Sequence, residues 1–335
     1  MERIKTVFVI APYHYDYSVA AIIQGLNKIP NVRVFANSDH NHCLRPVVKL
    51  QTQKQIAKLA DVTVLAHSAL EGKYAQFVQP LLDEVKPDVF LDGSDYSDYE
   101  ASPKDYKLYL KREFISTKRP IENNVEPFIF AAEDRFFTRA ASDSTHRHIW
   151  AQKTQKMACI MTACDKRPWR FEILDKLKKD YENDNKVFVG EIRTGKGSAD
   201  LDTGDRHFAG YFDKLFDSKI SVDAWGCGEA RQTGRFWESV ANGCLVFYPP
   251  IDPYVWPNTF EAGKHFVVYD NIEDLEKKLH YYMENDDEAR IIADEGWKHM
   301  AQHHTTKVRA EEFISICKRY YNIKIFPLER KNVAY

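Results

Sequence analysis

Short apolar runs alternate with longer amphipathic stretches along the first 130 residues of the chain. The apolar runs are rich in Val, Ile, Phe and Leu, which is typical of strands. The predicted strands lie at 6–11, 32–36, 62–66 and 88–92, with two more around 114–115 and 128–130. The predicted helices lie at 17–26, 46–60 and 74–85. Short strands joined by helical crossovers predict a parallel sheet that is covered on both faces.

The alternation stops in a polar stretch at 133–155 and then starts again. The second set of predicted strands lies at 157–162, 187–191, 220–225 and 245–248. The second set of predicted helices lies at 169–181, 208–216, 272–284, 287–303 and 306–321. The fold class is therefore predicted as α/β, with two tandem Rossmann-like, doubly wound domains and a cleft between them. We place the first domain at 1–145 and the second at 150–318.

Composition excludes several classes of protein. Lys plus Arg (47) nearly balance Asp plus Glu (49), which argues against a nucleic-acid partner. No apolar run approaches the roughly 18 residues of a membrane span, and the six cysteines form no CxxC pair. We expect reduced, buried thiols and a cytoplasmic protein. The basic and aromatic stretch 104–111 is interpreted as a solvated helix face, with peripheral membrane contact as the most that it would support.

The segment 219–250 carries the clearest chemical signal. It is predicted to form a strand, a loop, a short helix and a second strand. The residues that the loop places at the start of the helix are Arg231, Thr233, Gly234 and Arg235. Backbone N–H groups at a helix N-terminus bind anions, and arginines suit a phosphate or diphosphate. Glu238, one turn into the helix, is suited to accept hydrogen bonds from sugar hydroxyls, so a nucleotide-type ligand is predicted.

Ligands of open parallel sheets bind beyond the carboxyl ends of the strands. In the second half this rule selects Arg193 and Lys196, which follow a predicted strand and are candidate partners of a diphosphate. In the first half it selects the loops after the first and fourth strands. These loops hold the candidate general bases His14, Asp16, Asp92 and Asp95. Asp92 also suits a structural turn cap, and Asp95 is slightly favoured because it lies further out in its loop.

Residues 234–244 (GRFWESVANGC) resemble the R-[YF]-[WF]-E-x-[LV]-A-x-G-C motif of GT-B glycosyltransferases, closest to their group 1 and spore-maturation-type branch. Further stretches between 269 and 310 resemble the C-terminal helices of that branch, and the resemblance covers roughly 155–315. It implies that Arg235 contacts the donor phosphate, with an ion pair to Glu238 as the alternative. It implies that Glu238 holds the ribose hydroxyls. Ala230 stands where retaining relatives have a second glutamate, which leaves the stereochemistry open.

The resemblance implies a glycosyltransferase that moves a sugar from a nucleotide-sugar donor, UDP on family frequency, to a glycan, lipid-linked or protein acceptor. It also implies that the tail 319–335 crosses back to the first domain. No cofactor and no metal are expected, and His40, His42 and Cys43 are interpreted as a polar loop. Two alternatives stay open. One is a sugar-nucleotide epimerase of the same fold, and the other is a non-catalytic protein that binds sugar nucleotides.

Overall fold

The computed structural model describes residues 4–12, 16–38, 49–72, 75–114, 122–137, 150–162, 168–191, 209–226, 233–251 and 258–322. Within these ranges the chain forms two parallel sheets, one from each half of the sequence. Helices cover both sheets. The predicted fold class, two tandem doubly wound α/β halves, is confirmed.

The first sheet has six strands among the described residues, in the order β2-β1-β3-β4-β5-β6. Their bounds are Thr6–Ile10 (β1), Arg33–Ala36 (β2), Val62–Ala66 (β3), Val89–Asp92 (β4), Leu108–Lys111 (β5) and Val125–Pro127 (β6). Neighbouring strands are parallel throughout. The central strands are buried on both faces, which explains why they appear in the sequence as continuous apolar runs.

The first sheet is covered by Tyr17–Asn27 (α1), Leu50–Leu59 (α2) and Ala75–Leu82 (α3). The last helix of the chain described here, Thr306–Asn322, also packs on this half, where Phe313 and Cys317 join the core beneath α1. Gly25 of α1 makes that contact possible. A Cβ at Gly25 would lie 2.0 Å from the carbonyl oxygen of Thr306, so a larger residue would push the two helices apart.

The second sheet has five strands among the described residues, in the order β11-β10-β9-β7-β8. Their bounds are Gln155–Met161 (β7), Val187–Glu191 (β8), Ser218–Val222 (β9), Leu245–Tyr248 (β10) and Val267–Val268 (β11). The helices of this half are Pro168–Asp180 (α4), Ala209–Asp217 (α5), Gly234–Ala241 (α6), Ile272–Glu284 (α7) and Asp286–His303 (α8). The last described helix, Thr306–Asn322, is α9.

Two sequence interpretations of the first half are wrong. The stretch 104–111 contains β5, not a solvated helix face, and Lys111 is fully buried. The last two strands of the sheet are β5 and β6, and neither Phe114 nor Phe128–Phe130 lies in a strand. The sequence hides the strand character of β5 because a charged residue, Lys111, occupies a core position, where it forms an ion pair with Asp92.

Three further expectations concern the chain as a whole. The described cysteines, Cys159, Cys244 and Cys317, are free thiols, and all three are buried. None of the helices that the structure describes is both long and apolar enough to cross a membrane. The domain bounds at 145 and 150 and the crossing of the tail at 319–335 stay predictions, and the tail beyond residue 322 lies outside the described residues.

Candidate functional site

The carboxyl end of β9 leads directly to a buried carboxylate that organises the start of α6. Asp223 is 1% exposed. Its Oδ2 accepts a 2.5 Å hydrogen bond from the Thr233 hydroxyl, which in turn caps α6 by accepting the Phe236 N–H. Thr233 therefore lies at the N-terminus of α6, as the sequence predicts. Asp223 was not predicted, although it directly follows a strand at the edge where ligands bind.

The same carboxylate holds Arg235. The Nε and Nη2 atoms of Arg235 both lie 3.0 Å from Oδ1 of Asp223, and 15% of the Arg235 side chain is exposed. Burial alone would lower the pKa of Arg235, but the nearby negative charges, of which Asp223 contributes most, together outweigh burial and raise it, so the guanidinium stays charged. The ion-pair partner of Arg235 is thus Asp223, where the sequence alternative was Glu238. This pair orients the guanidinium beside the N-terminus of α6.

Glu238 is 1% exposed, and two tyrosines contact its carboxylate. Tyr211 of α5 donates a 2.5 Å hydrogen bond to Oε2, and Tyr17 of α1 donates to Oε1. Burial and the nearby charge of Glu238 raise the pKa of Tyr211 well above its usual value, so this phenol remains a donor. A residue predicted to bind a sugar therefore lies in an internal hydrogen-bond network.

Tyr17 joins the two halves of the molecule at this point. Its ring packs against Gly234, where a Cβ would lie 3.4 Å from the ring, and its hydroxyl contacts Glu238. The preceding residue, Asp16, caps α1 by accepting the N–H groups of Ser18 and Val19 at 2.8 and 3.1 Å. One helix terminus of the first half therefore lies against one helix terminus of the second.

Asp16 also lines a pocket of about 280 Å³ at the carboxyl ends of β1, β3 and β4. The residues that line it are Asp16, His67, Ser68, Glu71, Gly93, Ser94, Asp95, Tyr96 and Glu100. Apart from Gly93, all of them have a polar side chain, and several can accept hydrogen bonds from hydroxyl groups. The pocket contains two of the predicted bases, Asp16 and Asp95.

Those two carboxylates differ in their surroundings. Asp16 accepts hydrogen bonds from the Ser68 hydroxyl and from the start of α1. Asp95 is half exposed and forms an ion pair with Arg112. Both carboxylates therefore have hydrogen-bond or ion-pair partners within the protein.

Asp92, the third predicted base that the structure describes, is fully buried at the end of β4. Its carboxylate accepts hydrogen bonds from the Tyr109 hydroxyl at 2.5 Å, the Lys111 ammonium at 2.9 Å and the Ser94 N–H at 3.1 Å. Burial alone would raise the pKa of Asp92, but Lys111 and these donors hold it below its usual range. These contacts match the turn-cap alternative, and its role as a base stays a prediction.

His67 is a pocket residue that the sequence interpretation missed. It follows β3 directly, in the single-turn helix His67–Leu70. The rule that ligands bind beyond strand ends also selects His67, but in the first half the sequence interpretation considered only the loops after the first and fourth strands. His14, Arg193, Lys196 and Arg231 lie outside the described residues, as do His40, His42 and Cys43. In the described part of the chain, no three His, Cys, Asp or Glu residues are arranged to hold a metal ion.

The chain is similar to known proteins in part of its sequence and in its fold. Residues 217–315 match a family model described as glycosyl transferase-like. A search of curated proteins found no significant match. Anabaena Alr3699/HepE in complex with UDP is similar in structure, with a TM-score of 0.54 and 11% identity over 94% of this chain and 100% of that one.

Two further structures are similar over nearly the whole chain. A glycosyltransferase from Rickettsia africae has a TM-score of 0.56 and 11% identity over 94% of this chain and 98% of that one. MnaA of S. aureus, solved with UDP, has a TM-score of 0.52 and 12% identity over 97% of this chain and 100% of that one. These likenesses show that the chain has the GT-B fold.

Proposed function

We propose that this protein is a glycosyltransferase that moves a sugar from a UDP-linked donor to a hydroxyl of a glycan acceptor. The observation that carries the proposal is the family-model match at 217–315, because that segment contains β9, α6 and β10. Thr233, Gly234, Arg235 and Glu238 all lie in it. On the motif at 234–244 we assign the protein to the group 1 and spore-maturation-type branch.

The donor diphosphate binds at the start of α6 in this proposal. Departure of a nucleoside diphosphate builds negative charge, which N–H groups at a helix terminus and oriented cations stabilise. Asp223 orients Arg235 for this task. We propose that Arg193, Lys196 and Arg231, which the sequence predicts to follow strands of the second half, supply further positive charge. Because these groups can stabilise the leaving diphosphate, we propose that the reaction needs no metal ion.

The acceptor binds in the pocket of the first half. Its volume of about 280 Å³ lies near the lower end of the range for small-molecule sites, about 300–1,000 Å³, so it suits a single sugar unit at the end of a glycan. Its carboxylates and serine hydroxyls suit a ligand with several hydroxyl groups. An acceptor with a phosphate beside the reacting hydroxyl would meet several like charges there.

Glu238 is 1% exposed, so the donor ribose reaches it only if at least one of its tyrosine partners moves. Both oxygens of the carboxylate accept a phenol hydroxyl in this structure. A ribose diol can replace two hydroxyl donors with two others, so the exchange conserves the number of hydrogen bonds. Donor binding is therefore coupled to the position of Tyr17, which also joins the two halves.

The test is thermal unfolding of the full chain with and without UDP, GDP, CMP and dTDP, together with nucleotide release from UDP-glucose in the presence of sugar acceptors. A ligand at a hundred times its Kd adds about 2.7 kcal/mol of stability. Of the four nucleotides, we expect only UDP to raise the unfolding temperature clearly. We also expect the release of UDP from UDP-glucose to depend on added acceptor. Glu238→Gln should lose the shift, while the exposed control Glu284→Gln should keep it.

Three results would oppose the proposal. If no nucleotide raised the unfolding temperature, the protein would lack the proposed donor site. A UDP shift without turnover would favour the non-catalytic alternative. Conversion of the donor sugar to an epimer without any acceptor would favour the epimerase.

A further inference from the structure

The imidazole of His67 has a defined place on the pocket wall. The residue begins a single helical turn at the end of β3, its side chain is 16% exposed, and its ring lies against Phe90 with a centroid distance of 6.5 Å. The backbone and the packing therefore restrict the ring, while one side of it faces the pocket.

Two carboxylates flank the ring on its two nitrogen atoms. Nδ1 lies 3.6 Å from Oε1 of Glu71, and Nε2 lies 3.6 Å from Oε2 of Glu100. These distances are somewhat longer than hydrogen bonds, as is common for catalytic groups before the substrate binds. The two carboxylates and Phe90 together set the orientation of the ring.

The two predicted bases in the pocket, Asp95 and Asp16, are engaged by other groups of the protein. Asp95 is paired with the permanently charged Arg112. Asp16 accepts the Ser68 hydroxyl and two backbone N–H groups of α1. Both carboxylates therefore already have partners within the protein. Histidine, by contrast, is the side chain most often used for general base catalysis near neutral pH.

We propose that His67 is the general base of the transfer reaction, an inference that rests on the proposed function. A ring nitrogen takes the proton of the acceptor hydroxyl as the acceptor oxygen bonds to the anomeric carbon. The bond from that carbon to the diphosphate breaks, and the nucleoside diphosphate leaves with the electron pair. The imidazolium then releases its proton to solvent.

This assignment also decides the stereochemistry. A base on the acceptor wall is needed when the hydroxyl attacks from the face opposite the leaving diphosphate, because the diphosphate oxygens cannot reach that proton. Attack from the opposite face inverts the anomeric carbon. The product of the wild-type protein therefore has the anomeric configuration opposite to that of the donor.

The experiment compares wild type, His67→Gln and His67→Ala with UDP-glucose and a sugar acceptor that the wild type uses. We expect the kcat of transfer to fall about 10²–10⁴-fold in both variants, with the UDP-induced thermal shift unchanged. Added imidazole should restore part of the activity of His67→Ala. His280→Gln is the matched control, since His280 is exposed on α7, and it should behave as wild type.

The outcomes distinguish failure of the proposed function from failure of the role of His67. If wild type transfers no sugar, the proposed function fails. If wild type transfers sugar and His67→Gln does so at the same rate, only the role of His67 fails. A product that retains the donor configuration by NMR would also overturn it. So would a larger loss of kcat in Asp95→Asn or Asp16→Asn than in His67→Gln.

Discussion

The two sheets share a topology, yet the sites at their carboxyl edges are built differently. At the first edge, polar side chains line an open pocket of about 280 Å³. At the second edge, Asp223 and Glu238 are each 1% exposed and bind to other side chains of the protein. The first candidate site is an open pocket, whereas the Glu238 carboxylate at the second is enclosed by internal hydrogen bonds. Similar folds thus give one open candidate site and one closed candidate site.

The largest expected effect tests the difference between two aspartates of the first edge. Asp92→Asn leaves Lys111 buried without its counter-charge, so we expect a loss of about 3–5 kcal/mol in the free energy of unfolding. Asp95→Asn removes a half-exposed partner of Arg112, so the loss should be about 0–1 kcal/mol. Urea unfolding of the full chain measures both.

Measurements of transfer activity on the two variants can contradict this expectation. If Asp92→Asn unfolded at the same urea concentration as wild type and yet lost transfer, Asp92 would be a catalytic group, as the sequence predicts. A large loss of stability in Asp95→Asn would show that the exposed pair stabilises the pocket more than its surroundings indicate.

The next effect tests whether the second site is closed by Tyr17. Tyr17→Phe removes the phenol that occupies Oε1 of Glu238. A hydrogen bond to a charged group contributes about 1.5–3 kcal/mol, so UDP should bind about tenfold more tightly or better, and the ligand-free protein should melt at a lower temperature. Calorimetric titration with UDP measures the affinity.

A matched pair of the same residue types serves as the control. Tyr281 donates a 2.7 Å hydrogen bond to Glu288 on the exposed side of the molecule. Tyr281→Phe should leave the UDP affinity unchanged. Weaker UDP binding by Tyr17→Phe would mean that the tyrosine stays with the bound donor, and the site would then not be closed in the sense argued above.

The sequence allowed most of the fold to be predicted, because fully buried parallel strands appear as apolar runs. β1, β3 and β4 each lie within a predicted strand. β5 was missed because Lys111 is a charged residue in a core position, and its partner Asp92 lies nineteen residues away in sequence. A local pattern cannot show that a lysine is neutralised by a distant carboxylate.

The candidate sites likewise depend on contacts between residues that are distant in sequence. Thr233, Gly234 and Arg235 are neighbours in sequence, so their position at a helix start could be predicted. Tyr17 and Glu238 are 221 residues apart, and only the packing of the two halves brings them together. His67 could have been found, since the rule for strand ends applies to β3 as it does to β1 and β4.

The smallest expected effect contrasts the buried ionisable groups of the two halves. In the second half, His265 stacks on His299 with a centroid distance of 4.2 Å and accepts the Glu261 N–H at 3.0 Å. Burial, assisted by His299, lowers the pKa of His265 to about 4. Because the folded value lies below that of the unfolded chain, about 6.5, its contribution to stability is complete above pH 6.5 and is lost as pH falls towards 4. Asp92 in the first half, whose pKa is lowered from 3.8, loses its contribution only below that pH.

We therefore expect the thermal midpoint to fall by a few degrees between pH 6.5 and 4, with a separate decline at lower pH. His265→Gln should lower the midpoint at neutral pH and flatten the first decline, because glutamine does not titrate and can still accept the Glu261 N–H. His280→Gln should leave both declines in place. If the first decline persisted in His265→Gln, the acid sensitivity would belong to other groups. His299 and His304 would be tested next, because burial lowers the pKa of both and both contact the Asn258 carbonyl.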